Sequence, residues 1–404
     1  LALITALWAD GPARTAAIAK WSAIGSGVMV IGPLTAGWLL ENFWWGSVFL
    51  ITVPLAAVAF LLALRVVPAH VNETSDPVDH GGGALSVVMM AALVLAINFA
   101  PVPGGLKLAG FFAVVTVVTA VWFVRRQRRA PNPLYDLDVA TRRIFWVAAV
   151  AGIIVFGTLM GTMYISQQFL QNVLAYSTLA SGASVIPMSV AMVAVAGLSA
   201  KLVVSRGSRF TLLLGYVFFV LGFIVMLLLW KQQTSYAGVA LAYVLVGLGV
   251  GFAGTPASHA LTASVPVHRA GMASATADLQ RDLGGAVMQS ILGVLLTLGY
   301  AGAMASAVAA SPESEKVTDE VATQLQKSFA GAEAVAEQYP SYASAIEQAA
   351  QQSFLDGANW AYAAGIVAIL IGAAVTWWRF PGKAGEADLL ARYSRQDASS
   401  GDAT

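Results

Sequence analysis

Apolar runs of membrane-crossing length dominate the chain. A helix needs about 20 mostly apolar residues to cross a bilayer. Such runs fall at roughly 21–40, 46–67, 84–101, 106–124, 145–172, 180–203, 210–230, 236–258, 270–300 and 358–380. Before them, residues 1–9 read as the tail of another apolar segment. The runs are too long for barrel strands and show no alternation of period two. The pattern therefore predicts an all-α, polytopic membrane helical bundle with about ten complete spans in this sequence.

Two connections are long. The first, 68–83, is rich in Pro, Asp, His and Gly and reads as a flexible linker. The second, 303–356, carries helical signals. Ser311 can cap a helix with Pro312 at its first position and Glu313 and Glu315 in its first turn. Val317, Val321, Leu325 and Phe329 then recur every fourth residue, and Ile346, Ala350 and Phe354 suggest a second helix after Pro340. Either a lid over an exit or a solvated hairpin on the membrane surface fits. The polar tail after Pro381 reads as disordered.

Charge gives the orientation. If the loop holding Arg14 and Lys20 lies inside, 17 of the 22 lysines and arginines fall on that side. The densest group is Arg125, Arg126, Arg128, Arg129, Arg142 and Arg143, which read as inner-face anchors. Ten spans return the C-terminus to the same, cytoplasmic side. Only 11% of the residues are charged, against about 25% in ordinary globular chains. There is no cysteine, so disulfide, zinc-knot and thiol chemistry are excluded, and four scattered histidines argue against a metal site. No basic patch with interleaved aromatics points to nucleic acid. No phosphate-cradling Gly-x-x-x-x-Gly-Lys-Ser/Thr loop is present, which argues against ATP, and no nucleophile is paired with a base. The expectation is a non-enzyme without cofactors.

Within the first span lies Gly25-Ser26-Gly27-Val28-Met29-Val30-Ile31-Gly32-Pro33-Leu34-Thr35-Ala36-Gly37. So much Gly and Pro would break a soluble helix. In lipid it lets another backbone approach closely. Gly25, Gly32, Ala36 and Gly37 fall near one side of a helix bent at Pro33. Together with Phe43-Trp44-Trp45-Gly46-Ser47-Val48-Phe49-Leu50-Ile51-Thr52-Val53-Pro54, the stretch resembles the antiporter motif of the major facilitator superfamily. More narrowly, it is similar to the fourteen-span drug:proton antiporters, with Gly-Pro-x-x-Gly-Gly and a following Trp-Arg-Trp-x-Phe-x-x-Asn-x-Pro-like segment. Ala36 replaces the first glycine of the pair, Val28 an earlier glycine and Thr52 an asparagine, and no arginine follows Trp44.

Ionisable groups inside lipid cost about 2.5–3.5 kcal/mol at a helix centre and are functional candidates by default. Asp278, Arg281 and Asp282 stand at i, i+3 and i+4 and share a helix face with Ser274, Gly285 and Gln289. Two carboxylates one turn apart repel, so one can take up a proton while Arg281 holds the other ionised. Alternatively both neutralise Arg281 near the headgroups. The segment resembles the family's Asn-Asp-x-x-Arg-Glu-Leu-Gly-Gly-Ala run, with Ala277 for Asn and Asp282 for Glu.

A second polar stripe is Tyr164, Gln167, Gln168 and Gln171, with Met160 and Asn172 beside it. Amides among aromatic and Met neighbours suit bulky, partly apolar, often cationic molecules; interhelical hydrogen bonding is the other reading. This run, continuing through Tyr176, Ser177, Gly182 and Pro187, resembles the family's Tyr-Leu-x-Gln-Tyr-Leu-Gln-x-x-x-Gly-Tyr-Ser segment, with Ala175 for its glycine. Ser205-Arg206-Gly207-Ser208-Arg209 resembles a weakened Asp-Arg-x-Gly-Arg turn without its aspartate, either a gate latch or an anchor. Gly247, Gly249, Gly251, Gly254 and Pro256 make another bendable span, and His259 reads as interfacial.

The resemblance implies a two-bundle transporter exporting hydrophobic or cationic compounds in exchange for protons, in a bacterial-type inner membrane. Asp278, Asp282 and Arg281 would couple protons, and Tyr164, Gln167, Gln168, Gln171 and Gln289 would contact substrate. Gly25, Gly32, Pro33 and Gly37 would form the antiport helix, with Arg206, Gly207 and Arg209 in a gate loop. The implied organisation is 1–67, remainder of the N-terminal bundle; 68–83, cytoplasmic linker; 84–124, two extra central spans; 125–144, basic cytoplasmic loop; 145–380, C-terminal bundle, including the extracytoplasmic loop 303–356; and 381–404, cytoplasmic tail. It also implies about four further spans upstream of residue 1.

Overall fold

The computed structural model describes residues 28, 31–66, 79–100, 102, 104–266 and 269–401. Gly25, the first half of the 21–40 segment and most of the 68–83 linker lie outside them. Among the described residues the chain is helical without strands. α1 covers 31–42 and α2 the span Ser47–Val66, with a short break at Ile51. Then come α3 (His80–Phe99), α4 (Leu106–Gln127), α5 (Arg143–Gln168), α6 (Ile186–Arg206), α7 (Ser208–Leu229), α8 (Tyr236–Ala263) and α9 (Ala270–Ala310). Last are α10 (Asp319–Lys327), α11 (Phe329–Gln338), α12 (Ala343–Arg379) and α13 (Lys383–Gly401). Nine helices among the described residues are long and apolar enough to cross a membrane, and they coincide with the predicted spans after the first.

The core is the six-helix bundle of α5–α9 and α12. α5 lies along α9, α8 packs on α5, α6 and α7, and α12 on α5, α7 and α9. α3 and α4 pair with each other, and α3 touches α9. Without water to expel, helices in lipid associate through close packing, which small residues allow. The α5–α9 crossing shows this. A Cβ added at Gly157 would lie 2.5 Å from the Gly284 carbonyl oxygen, and one at Gly284 would lie 2.5 Å from that of Ile153. One end of the bundle is closed by the buried Trp230, stacked on Phe169 at 4.6 Å and edge-on to Tyr243 and Tyr362.

α9 and α12 have 41 and 37 residues, so each is about 55–60 Å long at helical rise. Both exceed a bilayer core of about 30 Å. Their basic ends, Arg269 and Arg379, lie at the end of the bundle where Arg142 and Arg143 bond to the Ser264 and Arg379 carbonyls, so the surplus projects from the opposite face and carries α10 and α11. There the expected hairpin is differently built. Ser311 and Pro312 end α9, and the following helix starts at Asp319, capped by Thr318, with Asp319 and Glu320 in its first turn. The cap signal at Ser311 is repeated with stronger chemistry seven residues later, and the later one starts the helix. α11 was not foreseen, and the helix expected after Pro340 is the opening of α12 itself.

Two local departures stand out. α5 ends in a π turn, Phe169–Val173, and Ala175 follows with φ +53°. A left-handed residue carrying a Cβ costs about 1–2 kcal/mol, at the position where the resembled segment has glycine. Ala175→Gly is expected to stabilise the protein by about 1 kcal/mol, read as a higher melting temperature in detergent. Gly284→Leu is expected to cost about 3 kcal/mol, read as early aggregation in thermal size-exclusion assays.

Candidate functional site

The charged residues of α9 lie on the face turned away from the bundle. Its buried side presents Ala273, Thr276, Gln280, Gly284 and Met288. Its open side presents Asp278, Arg281, Asp282 and Gln289. The sequence placed the charged trio on one helix face, and the structure keeps it there. Arg281 Nη1 donates to Asp278 Oδ1 at 3.0 Å, with the two side chains 48% and 65% exposed. Asp282 has no hydrogen bond or ion pair among the described residues.

α5 lies in register beside this face. The Arg281 guanidinium sits 5.4 Å from the Phe156 ring. Met160 crosses Gly285 and Tyr164 crosses Gly293, where an added Cβ would meet the Tyr164 ring at 3.2 Å. Small residues on α9 thus seat large ones from α5. Tyr164, Gln167, Gln168, Gln171, Asn172 and Gln289 line one open cavity of about 400 Å³ with Met160 and Met163. Tyr164 and Gln289 also line a second, on its α3-facing side, of about 390 Å³ with Asn98, Ser290 and Thr297. All five predicted contact residues are therefore brought together. Gln171 is held there by a π turn rather than by the α-helical spacing assumed from sequence. Gln167 also donates to the Ser181 carbonyl at 3.2 Å, so it ties the cavity wall to the next helix.

Gln280 was not foreseen. It is buried, and its Nε2 donates to the carbonyls of Ala148 and Ala149 at 2.7 and 3.0 Å. Gly152 leaves room for it, since an added Cβ there would collide with the amide. An amide one residue from a charged stripe is invisible to face counting unless the opposing glycine is read with it.

The antiporter-like stretch meets the end of the six-helix bundle through main chain. A Cβ on Gly37 would lie 2.8 Å from Leu179 Cα and from the Thr178 oxygen, and one on Gly182 would lie 2.5 Å from the Pro33 oxygen. Thr178 Oγ1 donates to the Gly37 carbonyl at 3.2 Å, and Leu179 N–H to Glu41 Oε1 at 3.1 Å. Among the described residues nothing lies within 4 Å of where a Cβ on Gly32 would stand. Gly25 lies outside the described residues.

At the basic end, the arginines of the 205–209 turn rest on aromatic rings: Arg206 over Phe210 at 5.3 Å and Arg209 over Trp377 at 4.4 Å. Gly207 adopts φ +89° with Lys383 close by, a position suited to glycine. The carboxylate that the loop lacks comes from the tail. Glu386 of α13 is buried and accepts from the Ser208 N–H at 3.0 Å and from its hydroxyl, capping the N-terminus of α7 in trans. Lys383 donates to the Ser205 carbonyl at 3.0 Å. Arg142 pairs with Asp397, stacks 4.8 Å from the Tyr393 ring and donates to the Ser264 carbonyl. The tail is thus a docked helix, not the disordered segment its polarity suggested. Glu386, Leu389, Leu390, Tyr393 and Asp397 follow a helical face that the sequence does carry.

Long apolar helices around an open, polar, amide-lined cavity define a membrane transport protein. The chain matches the Major Facilitator Superfamily over residues 1–289 and belongs to that family. It is 31% identical to the multidrug efflux pump LfrA of Mycolicibacterium smegmatis over 376 residues, 93% of this chain and 71% of that protein. It is 31% identical to the multidrug resistance protein Stp of Mycobacterium tuberculosis, covering 73% of this chain and 55% of Stp. Against the methyl viologen resistance protein SmvA of Salmonella typhimurium it is 30% identical, covering 75% and 61%. The chain thus spans little more than half the length of Stp and SmvA. A crystal structure of a bacterial homolog to the human lysosomal transporter Spinster shares the fold, with TM-score 0.51 at 15% identity, over 97% of this chain and 74% of that one.

Replacing Glu386 by Ala leaves the buried Ser208 N–H without its partner. A charge-assisted hydrogen bond is worth about 1.5–3 kcal/mol, so trypsin cleavage at Arg392 and Arg395 is expected to quicken at least about ten-fold. Unchanged cleavage would mean the tail is held by other contacts.

Proposed function

We propose that the protein exports hydrophobic or cationic compounds in exchange for protons by alternating access. The observation that carries this reading is the amide-lined cavity where Gln289 of α9 meets Tyr164 and Gln168 of α5 and Gln171 of the π turn, with Asp278, Arg281 and Asp282 exposed on α9 two to three turns away. A cargo held by amides, an aromatic ring and two methionines would lie on the same surface as the carboxylates. The names of LfrA, Stp and SmvA support a drug-like cargo.

In this reading Arg281 spends its charge on Asp278, and Asp282 is the group that takes up the proton. An unpaired carboxylate is the costlier charge when the surface closes away from water. Protonation lowers that cost, and cargo release and proton uptake become alternatives. The main-chain contact of Gly37 with Thr178–Leu179 and of Pro33 with Gly182 would close the outer side. The basic end with its docked tail would be cytoplasmic. α3 and α4 are read as the two additional central spans of a fourteen-span arrangement.

Inverted vesicles with an imposed pH gradient test this. Asp282→Asn is expected to abolish pH-driven flux while substrate counterflow persists. Asp278→Asn is expected to weaken both, because Arg281 is released. Wild-type flux in both variants would reject the coupling role. A substrate panel giving one transported metabolite would replace multidrug export by a specific carrier.

A further inference from the structure

The largest concentration of positive charge lies away from the polar face, where α4 emerges at the basic end. Trp122, Arg125 and Arg126 stand at i, i+3 and i+4 and share one face of α4, and Arg129 follows in the turn just beyond its end. They line an open cavity of about 610 Å³ with Asp79, Ala130, Pro131 and Asn132.

The arginines divide into two kinds. Arg126 is committed: its guanidinium lies across Gly81 at the start of α3, and it bonds to Asp79 at 2.7 Å. Asp79 also accepts from Gly82 N–H and from Gln127 Nε2, each at 2.9 Å, and its side chain is only 3% exposed. Chiefly the Gly82 N–H, and then Arg126 and Gln127, hold its carboxyl below the ordinary value despite burial. Asp79 is therefore ionised at neutral pH and cancels Arg126. Gln127 in turn accepts from the Tyr135 N–H at 2.8 Å, which fixes the loop that closes the cavity. Arg125 and Arg129, one turn apart, have no acidic partner among the described residues. Among the described residues the cavity thus holds two guanidinium groups with no carboxylate against them.

We infer that this cavity is a binding site for the phosphate headgroup of an anionic phospholipid. Guanidinium groups bind phosphate oxygens in a fork geometry. The Asn132 amide and the indole N–H of Trp122 add donors. Trp122 is 58% exposed, an interfacial aromatic at headgroup level. Beyond it on the same side, Val118, Val114 and Phe111 remain exposed and apolar. That strip suits an acyl chain and distinguishes a lipid from free phosphate. Basic pockets beside spans at the cytoplasmic surface take such headgroups. The site is independent of the transport face, so its failure would leave the transport reading intact.

Native mass spectrometry of the purified chain, in detergent micelles containing equal parts phosphatidylglycerol and phosphatidylcholine, tests it. The wild type is expected to retain phosphatidylglycerol selectively. Arg125→Gln with Arg129→Gln is expected to weaken that binding about 30-fold, from about 1 kcal/mol per arginine at the surface. Arg128→Gln, outside the cavity, is expected to keep it, and the double Lys variant to keep most of it. Melting temperatures confirm that the variants are folded. Equal retention in the wild type and the double Gln variant would overturn the site. Displacement of phosphatidylglycerol by millimolar inorganic phosphate would also overturn it, in favour of a free-anion site.

Discussion

The crossing of α5 over α9 at Gly157 and Gly284 is the contact on which the rest of the site depends. Carbonyl oxygens there lie within 2.5 Å of where a side chain would begin, so the two axes are as near as backbone permits. In lipid this proximity has no hydrophobic drive behind it and rests on van der Waals packing. It sets the register along both helices. Gln280 reaches the Ala148 and Ala149 carbonyls one turn to one side, and Met160 and Tyr164 seat on Gly285 and Gly293 on the other. The amide-lined cavity is therefore a consequence of two missing side chains. Its polar groups are placed by helix packing, not by a loop.

Much of this was legible in the sequence because lipid is a demanding solvent. A span must satisfy every backbone polar group internally and present about 20 apolar residues, so span positions follow from composition alone. The charged trio was legible for the same reason, since charge on an apolar helix is rare. Gln280 was not, because a neutral amide is tolerated on either face and only its glycine partner, 128 residues earlier in sequence, shows which face is buried. The π turn at Phe169–Val173 left no compositional trace either.

The tail shows a different limit. Its polarity is real, yet α13 docks, because its partners are polar too: the N-terminus of α7, the Ser205 carbonyl and Arg142. A mostly polar segment can still be ordered when a few apolar residues, here Leu389, Leu390 and Tyr393, pack on the core and its polar ones satisfy helix ends that would otherwise need another cap. Propensity and hydropathy score the segment by itself and miss such partners. The outer face erred the other way. Ser311 carries a sound N-terminal signature, but α9 was still running to Ala310, and the competing signature at Thr318 took the start.

The meeting of α1 with the short helix Thr178–Ala183 rests mainly on peptide atoms from both partners, with the Thr178 hydroxyl and the Glu41 carboxylate as its side-chain bonds. The cavity beside it is made of side chains. Atoms common to all residues do most of the holding in one, and atoms peculiar to each residue shape the other. Substituting one amide would therefore change the shape and polarity of the cavity and leave the join between the two parts as it is.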